Sequence, residues 1–120
     1  MLSNTELGQL GEQQAISFLT QHQYAIIERN WRYNRAEIDI IARLGSILVF
    51  VEVKSRMSTY FEDAEISVDQ KKEALLIDAA QRFMEQIGHN GELRFDIISV
   101  YFNKKYQLKK INHFIDAFFY

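Results

Sequence analysis

The sequence predicts one α/β domain in which a helix, three strands, a second helix and two further strands follow one another. Two stretches, 5–22 and 69–87, place apolar residues at helical spacing, while the runs between and after them are rich in β-branched and aromatic types. A third observation bounds the answer: 120 residues without proline, linker or internal repeat leave room for a single unit, 1–120, large enough to bury a core.

The first helix sets Leu7, Leu10, Ala15, Phe18 and Leu19 along one side, with Asn4 or Thr5 as the expected N-cap. Residues 24–31 then read as a strand ending near Trp31. Two apolar runs follow, 36–43 and 46–54, separated by Leu44-Gly45, where glycine can take the positive φ of a tight hairpin turn. The second helix carries Leu76, Ala79, Ala80, Phe83 and Ile87 on one stripe. Asp69 is placed to cap its start, with Ser67 and Gln70 as a competing capping box, and Gly88 is placed to stop it. Arg94 to Phe102 reads as a buried strand and Tyr106 to Ile111 as a shorter one.

The absence of cysteine excludes disulfides and thiolate metal sites and fits a cytoplasmic protein. The longest apolar run, Ile47 to Val51, is far too short to cross a bilayer, and no targeting signal is visible, so no membrane partner is expected. A net charge of −2 counts against a generic nucleic-acid coat protein. Positive charge is instead local. Arg29, Arg32 and Arg35 interleave with aromatic and polar residues, and Lys104, Lys105, Lys109 and Lys110 form a second group, whereas 60–69 is acidic. Either basic group alone is equally well a solvated face.

The hairpin carries the chemistry. Side chains alternate across a strand, so Leu48, Phe50, Glu52 and Lys54 share one face, and Glu37, Asp39 and Ile41 share a face of the preceding strand. A turn at 44–45 would pair Glu37 with Glu52 and leave Asp39 diagonal to Glu52. Crowded carboxylates on an apolar strand repel, and a divalent cation such as Mg²⁺ or Mn²⁺, which prefers oxygen ligands, resolves the conflict. Lys54 would orient or help activate a water and stabilise charge on phosphorus. The competing explanation is a salt-bridged strand end in which Lys54 merely neutralises Glu37 and Glu52.

Glu37-Ile38-Asp39, followed after a hairpin by Val51-Glu52-Val53-Lys54, resembles the catalytic pattern of the PD-(D/E)xK nuclease superfamily. More of the chain resembles the YraN-type bacterial family within it: Gly11-Glu12 with Ala15, Arg29-Asn30-Trp31-Arg32, Phe50 through Arg56, Lys72 with Ala79-Ala80, and Arg94-Phe95-Asp96. That family is related by fold to Holliday-junction resolvases. The resemblance implies a restriction-endonuclease-like three-layer α/β/α core with a mixed central sheet of about five strands. It further implies metal-dependent hydrolysis of DNA phosphodiester bonds, with branched DNA as a candidate substrate. Asp39 and Glu52 would be the metal-holding acids and Lys54 the lysine of the second motif, with Glu12 as a further metal or water ligand; without the resemblance Glu12 reads as an exposed helical glutamate. Two departures, Gln23 where glycine is usual and Gln70 where proline is common, do not touch these residues. The superfamily's proline is absent and Glu37-Ile38 precedes Asp39, which makes Glu37 a reserve ligand.

Arg29, Arg32, Arg35, Arg56, Lys71 and Lys72 are the candidates for phosphate contacts. The alternatives are a nucleic-acid-binding protein of the same fold that does not cut, and a protein-interaction scaffold. His22, His89 and His113 are widely spaced and read as ordinary histidines, and Trp31 as a core or sheet-edge residue. Phe114, Phe118, Phe119 and Tyr120 are expected to pack on the sheet or, if exposed, to mark a homodimer interface.

Overall fold

The computed structural model describes residues 1–57 and 69–117, which form α1 (Asn4–Gln21), β1 (Ala25–Tyr33), β2 (Ala36–Leu44), β3 (Ile47–Met57), α2 (Gln70–Ile87), β4 (Leu93–Phe102) and β5 (Leu108–Phe114). The five strands make one mixed sheet in the order β1-β2-β3-β4-β5. Only β3 and β4 are parallel, and α2 lies on the connection between them, as a parallel crossover requires. The element order matches that read from the sequence.

α1 begins one turn signal earlier than expected. Ser3, not Asn4 or Thr5, is the N-cap: its hydroxyl accepts from Glu6 N–H at 3.1 Å, and its own N–H donates to the Glu6 carboxylate at 3.0 Å. This reciprocal pair satisfies two of the helix's orphan donors, so it outcompetes a cap that offers one. At α2, Asp69 caps as expected and Gly88 stops the helix at φ 68°. The competing box at Ser67 lies outside the described residues.

The helices cover opposite faces. Ala15 and Leu19 of α1 pack on Ile40, Ala42, Val49, Val51, Ile98 and Val100, while Leu76, Ala79, Ala80 and Phe83 of α2 pack on Ile38, Ile41, Leu48, Phe50, Phe95 and Ile97. Each of the larger of these side chains contributes roughly 1.5–3 kcal/mol on burial. The result is the expected three-layer α/β/α core. Trp31 is half-buried against it, with its ring edge-on to Phe83 and stacked on Tyr33. Phe114 also packs on this cluster, and 118–120 lie outside the described residues.

Two details of the hairpin differ from the sequence reading. The turn falls at Gly45-Ser46, so Leu44 pairs with Ile47 and Ile40 with Val51. Continued one step, that register would set Asp39 opposite Glu52, but the pairing ends at Ile40↔Val51. The alternation of β2 also breaks: Ile38 packs toward α2, whereas Ile40, two residues on, packs toward α1. Strand period alone forbids this, so the strand must rotate between them, at Asp39. Asn30, between the paired positions Arg29↔Ile40 and Trp31↔Ile38, takes φ 51° at the same level.

The far part of the sheet is tied together by a buried polar network. The fully buried Asp96 accepts from Arg94 Nε at 2.9 Å and Nη2 at 2.7 Å, from Asp116 N–H at 3.0 Å, and pairs with His113 Nε2 at 2.7 Å. Arg94 also donates to the Tyr24 hydroxyl at 2.7 Å. Burial pushes the Asp96 carboxyl upward, but the bonds from His113, Arg94 and Asp116 prevail and hold it below its ordinary value. A carboxylate with this many donors is a fastener between the end of α1, β4 and β5, and not an ordinary surface ion pair.

Candidate metal and phosphate site

β2 and β3 stop pairing beyond Ile40↔Val51, although β3 continues alongside β4 as far as Met57↔Phe102. A fork opens between them, and the acids lie in it. Asp39 Oδ2 accepts the Val53 N–H at 2.8 Å, which supplies by side chain the acceptor that a continuing strand would have supplied by backbone. Glu12, Glu37 and Asp39 each bring a carboxylate oxygen within 4.8 Å of the others. Glu37, the reserve candidate, therefore stands in the closest acidic group.

Glu12 reaches the fork because α1 crosses β3 at unusually short range. Gly11 is buried, and a Cβ there would lie 1.7 Å from Ser55 Oγ and 2.9 Å from Ser55 Cβ. Only a residue without a side chain allows that approach, and it carries the adjacent Glu12 toward the sheet. The Asn30 amide, turned so that its nitrogen faces the helix, donates to Glu12 Oε1 at 3.1 Å and Oε2 at 3.3 Å. Asn30 belongs to a motif quoted from the sequence, but its role as a second support for Glu12 was not read there. Its left-handed backbone, common for asparagine, is what aims it.

Glu52 is engaged differently. Its Oε1 receives Lys72 Nζ from the first turn of α2 at 2.5 Å, and its side chain is 11% exposed against 47% for the lysine. Burial works to lower the Lys72 ammonium, yet its bond to Glu52 and the charges of Glu52, Asp39 and Asp69 carry it above its usual value.

Burial and mutual repulsion bear on the carboxylates of the fork even with cations nearby. Burial, followed by the charge of Glu52 and then those of Glu12 and Glu37, pushes the Asp39 carboxyl up to about 7, against the opposing Val53 N–H. Glu12 is also raised, first by burial and then by Glu37 and Glu52, despite Asn30 and Arg29. Lys54 is lowered by burial and by Arg56 and Lys72, with Glu52 opposing, which favours an ammonium able to give up a proton. Oxygen-only donors of this kind suit Mg²⁺ or Mn²⁺ and would not select a soft metal.

Around the acids, a cleft of about 330 Å³ is lined by Thr5, Gly8, Gln9, Glu12, Asn30, Arg32 and Glu37. Arg32 is exposed at its mouth and pairs with Glu37 at 2.7 Å. Arg29 and Arg56 act on Glu12 and Lys54 respectively, so these cations, with Lys72, gather at the fork. Arg35, in the β1–β2 turn, and Lys71, on α2, are exposed and have no described contact with the acids.

Residues 11–100 of the chain match the uncharacterised protein family UPF0102. The chain belongs to that family. A UPF0102 protein of Flavobacterium psychrophilum is 42% identical over 120 residues, spanning 100% of this chain and 99% of the relative. One from Christiangramia forsetii is 40% identical over 120 residues, with the same coverage. One from Geobacter metallireducens is 39% identical over 118 residues, covering 98% of this chain and 95% of its own. The UPF0102 match spans the acids from Glu12 to Glu52, both lysines and Asp96. No helix among the described residues is long and apolar enough to cross a membrane.

Proposed function

We propose that this chain is a divalent-metal-dependent endonuclease that hydrolyses phosphodiester bonds in DNA. The observation that carries the reading is the gathering of Glu12, Glu37, Asp39 and Glu52 at one strand fork, with a half-buried lysine, Lys54, on the strand that carries Glu52. Carboxylates that raise one another in a buried place are costly to keep without a cation, and a fold retains such an arrangement where the cation is used.

Asp39 is the central ligand, with Glu12, Glu37 and Glu52 as the carboxylates available beside it. A bound Mg²⁺ or Mn²⁺ supplies Lewis acidity toward a phosphoryl oxygen and acidifies a water. Every other part belongs to the chain. Lys54, depressed below an ordinary lysine, positions the attacking water, takes or returns its proton, and faces the charge that builds on phosphorus. Asn30 fixes the Glu12 carboxylate, and the Val53 N–H fixes Asp39. Arg29, Arg32 and Arg56 stand where flanking phosphates would pass and supply position rather than sequence preference.

A metal-titrated cleavage panel across duplex, single-stranded, flap and four-way DNA tests the reading. Mg²⁺- or Mn²⁺-dependent cleavage of at least one substrate, abolished in Asp39→Asn, is the expected result. Salt-dependent binding of every substrate with no cleavage at any metal concentration would replace it with a binding function.

A further inference from the structure

Resting on the reading of the fork as a divalent-cation site, we propose that Lys72 is a resident cation that holds Glu52 until a divalent ion claims it. The released ammonium then takes a phosphate of the nucleic acid. Lys72 thereby couples the two binding events.

The exchange follows from where the two partners sit. Glu12, Glu37 and Asp39 present oxygens to one another within 4.8 Å, whereas Glu52, whose charge acts on both Asp39 and Glu12, has its Oε1 turned to Lys72 at 2.5 Å. Of the four carboxylates, Glu37 pairs with the exposed Arg32, and Glu52, near the ligand group, is committed to the ammonium of Lys72. The pair suits the metal-free protein because it places a positive charge beside an acid that is almost covered. It is also breakable, since the lysine is 47% exposed. A lysine is a point charge on a four-carbon stem and can swing without moving its backbone. That backbone is fixed, because Lys72 N–H donates to the capping carboxylate of Asp69 at 2.9 Å in the first turn of α2. The ammonium therefore pivots about a pinned position at the rim of the fork, where a phosphate attracted to the same cation would lie.

Asp39 and Glu52 would both gain from a divalent charge, which would neutralise the two acids at once and so outbid a single ammonium for Glu52. Removing the competitor should tighten metal binding, and removing the freed ammonium should erase the gain in DNA affinity that metal confers. Thermodynamic reciprocity requires the two effects to appear together.

The test is calorimetric titration of Mn²⁺ into wild type, Lys72→Gln, Lys72→Arg and Lys104→Gln, with DNA affinity measured with and without Ca²⁺. Lys104→Gln removes the same charge from an exposed position in the β4–β5 turn and controls for net charge. Lys72→Gln should bind Mn²⁺ about three- to fivefold tighter, a range set by the strength of a partly exposed ion pair. Lys104→Gln should stay within about twofold of wild type, and Lys72→Arg, whose fork grips a carboxylate through two bonds, should bind Mn²⁺ no tighter than wild type. Wild type should gain DNA affinity with Ca²⁺, and Lys72→Gln should lose most of that gain. Equal Mn²⁺ affinities in wild type and Lys72→Gln, equal tightening in both glutamine variants, or an undiminished Ca²⁺ effect on DNA would each overturn the exchange while leaving the metal site standing. A wild type that binds no Mn²⁺ would remove the metal site and the exchange together.

Discussion

Asp39 Oδ2 and the Val53 N–H meet at 2.8 Å at the level where the two strands that carry them part. One carboxylate oxygen is thus spent on ending the ladder, and the other is left to the fork. Asparagine could keep the structural bond, through its carbonyl oxygen, while giving up the charge.

Asp39→Asn should therefore stabilise the metal-free protein, and by an amount that depends on pH. The folded carboxyl titrates near 7 against an ordinary value of 3.8, so between those values the native state holds a proton that the unfolded state has released. Wild-type stability must then fall as pH rises through that window and stay low above it, whereas the asparagine variant carries no such loss. Urea denaturation in chelator should show a gap favouring the variant by on the order of 1–3 kcal/mol at pH 8 and close to none at pH 4. A gap that ignores pH would mean that Asp39 is not the group under strain.

Lys54→Ala should separate metal capture from chemistry. It removes no carboxylate, so the rise in melting temperature with Mn²⁺ should persist. Cleavage should drop by about 100-fold or more, the usual worth of a positioned proton-transfer group. Loss of the Mn²⁺ response in a folded variant would instead show that the lysine organises the acids.

Gly11→Ala tests the close crossing of α1 over β3. The added methyl meets both Oγ and Cβ of Ser55, so rotating the hydroxyl away cannot relieve the contact. A loss of about 1–3 kcal/mol is expected, as for overpacking elsewhere, together with weaker Mn²⁺ binding as Glu12 withdraws. Ser55→Gly in the same chain should restore much of both. Failure of that rescue would locate the cost in the helix and not in the crossing.

Asp96→Asn should cost about 3–5 kcal/mol, because it strips the counter-charge from a guanidinium that is 15% exposed and leaves His113 and the Asp116 N–H with a poorer acceptor. Chemical denaturation measures it. A loss below about 1 kcal/mol would reduce the network to an ordinary surface pair.

The elements were legible in the sequence because their apolar periods are clean and their stops are chemically marked, as Asp69 and Gly88 show at α2. What escaped was set by tertiary geometry. The turn moved by one residue to Gly45-Ser46, and the face change at Asp39 cannot be read from period-two alternation, since it depends on a rotation that β2 makes at the level of Asn30. Ser3 followed by Glu6 is a local capping signal that competes with Asn4 and Thr5, and the reciprocal box decides between them. The partnership of Glu52 with Lys72 spans 20 residues and that of Asp96 with His113 spans 17, separations at which no local pattern exists. A regular hairpin pairs Glu37 with Glu52, whereas the opened fork turns it toward Asp39 and Glu12.

The Asp96 network also fixes an order of events. Every acid of the fork, together with Lys54 and Lys72, lies within the first 72 residues, but the end of α1 is fastened at Tyr24 to Arg94, and through Asp96 to His113. During synthesis the acids leave the ribosome long before the strands that clamp the helix bearing Glu12. An emerging chain would carry every acid of the fork on a sheet that still lacks β4 and β5. The clamp on the helix that bears Glu12 is thus set by residues that follow all of those acids in the sequence, an aspartate and a histidine.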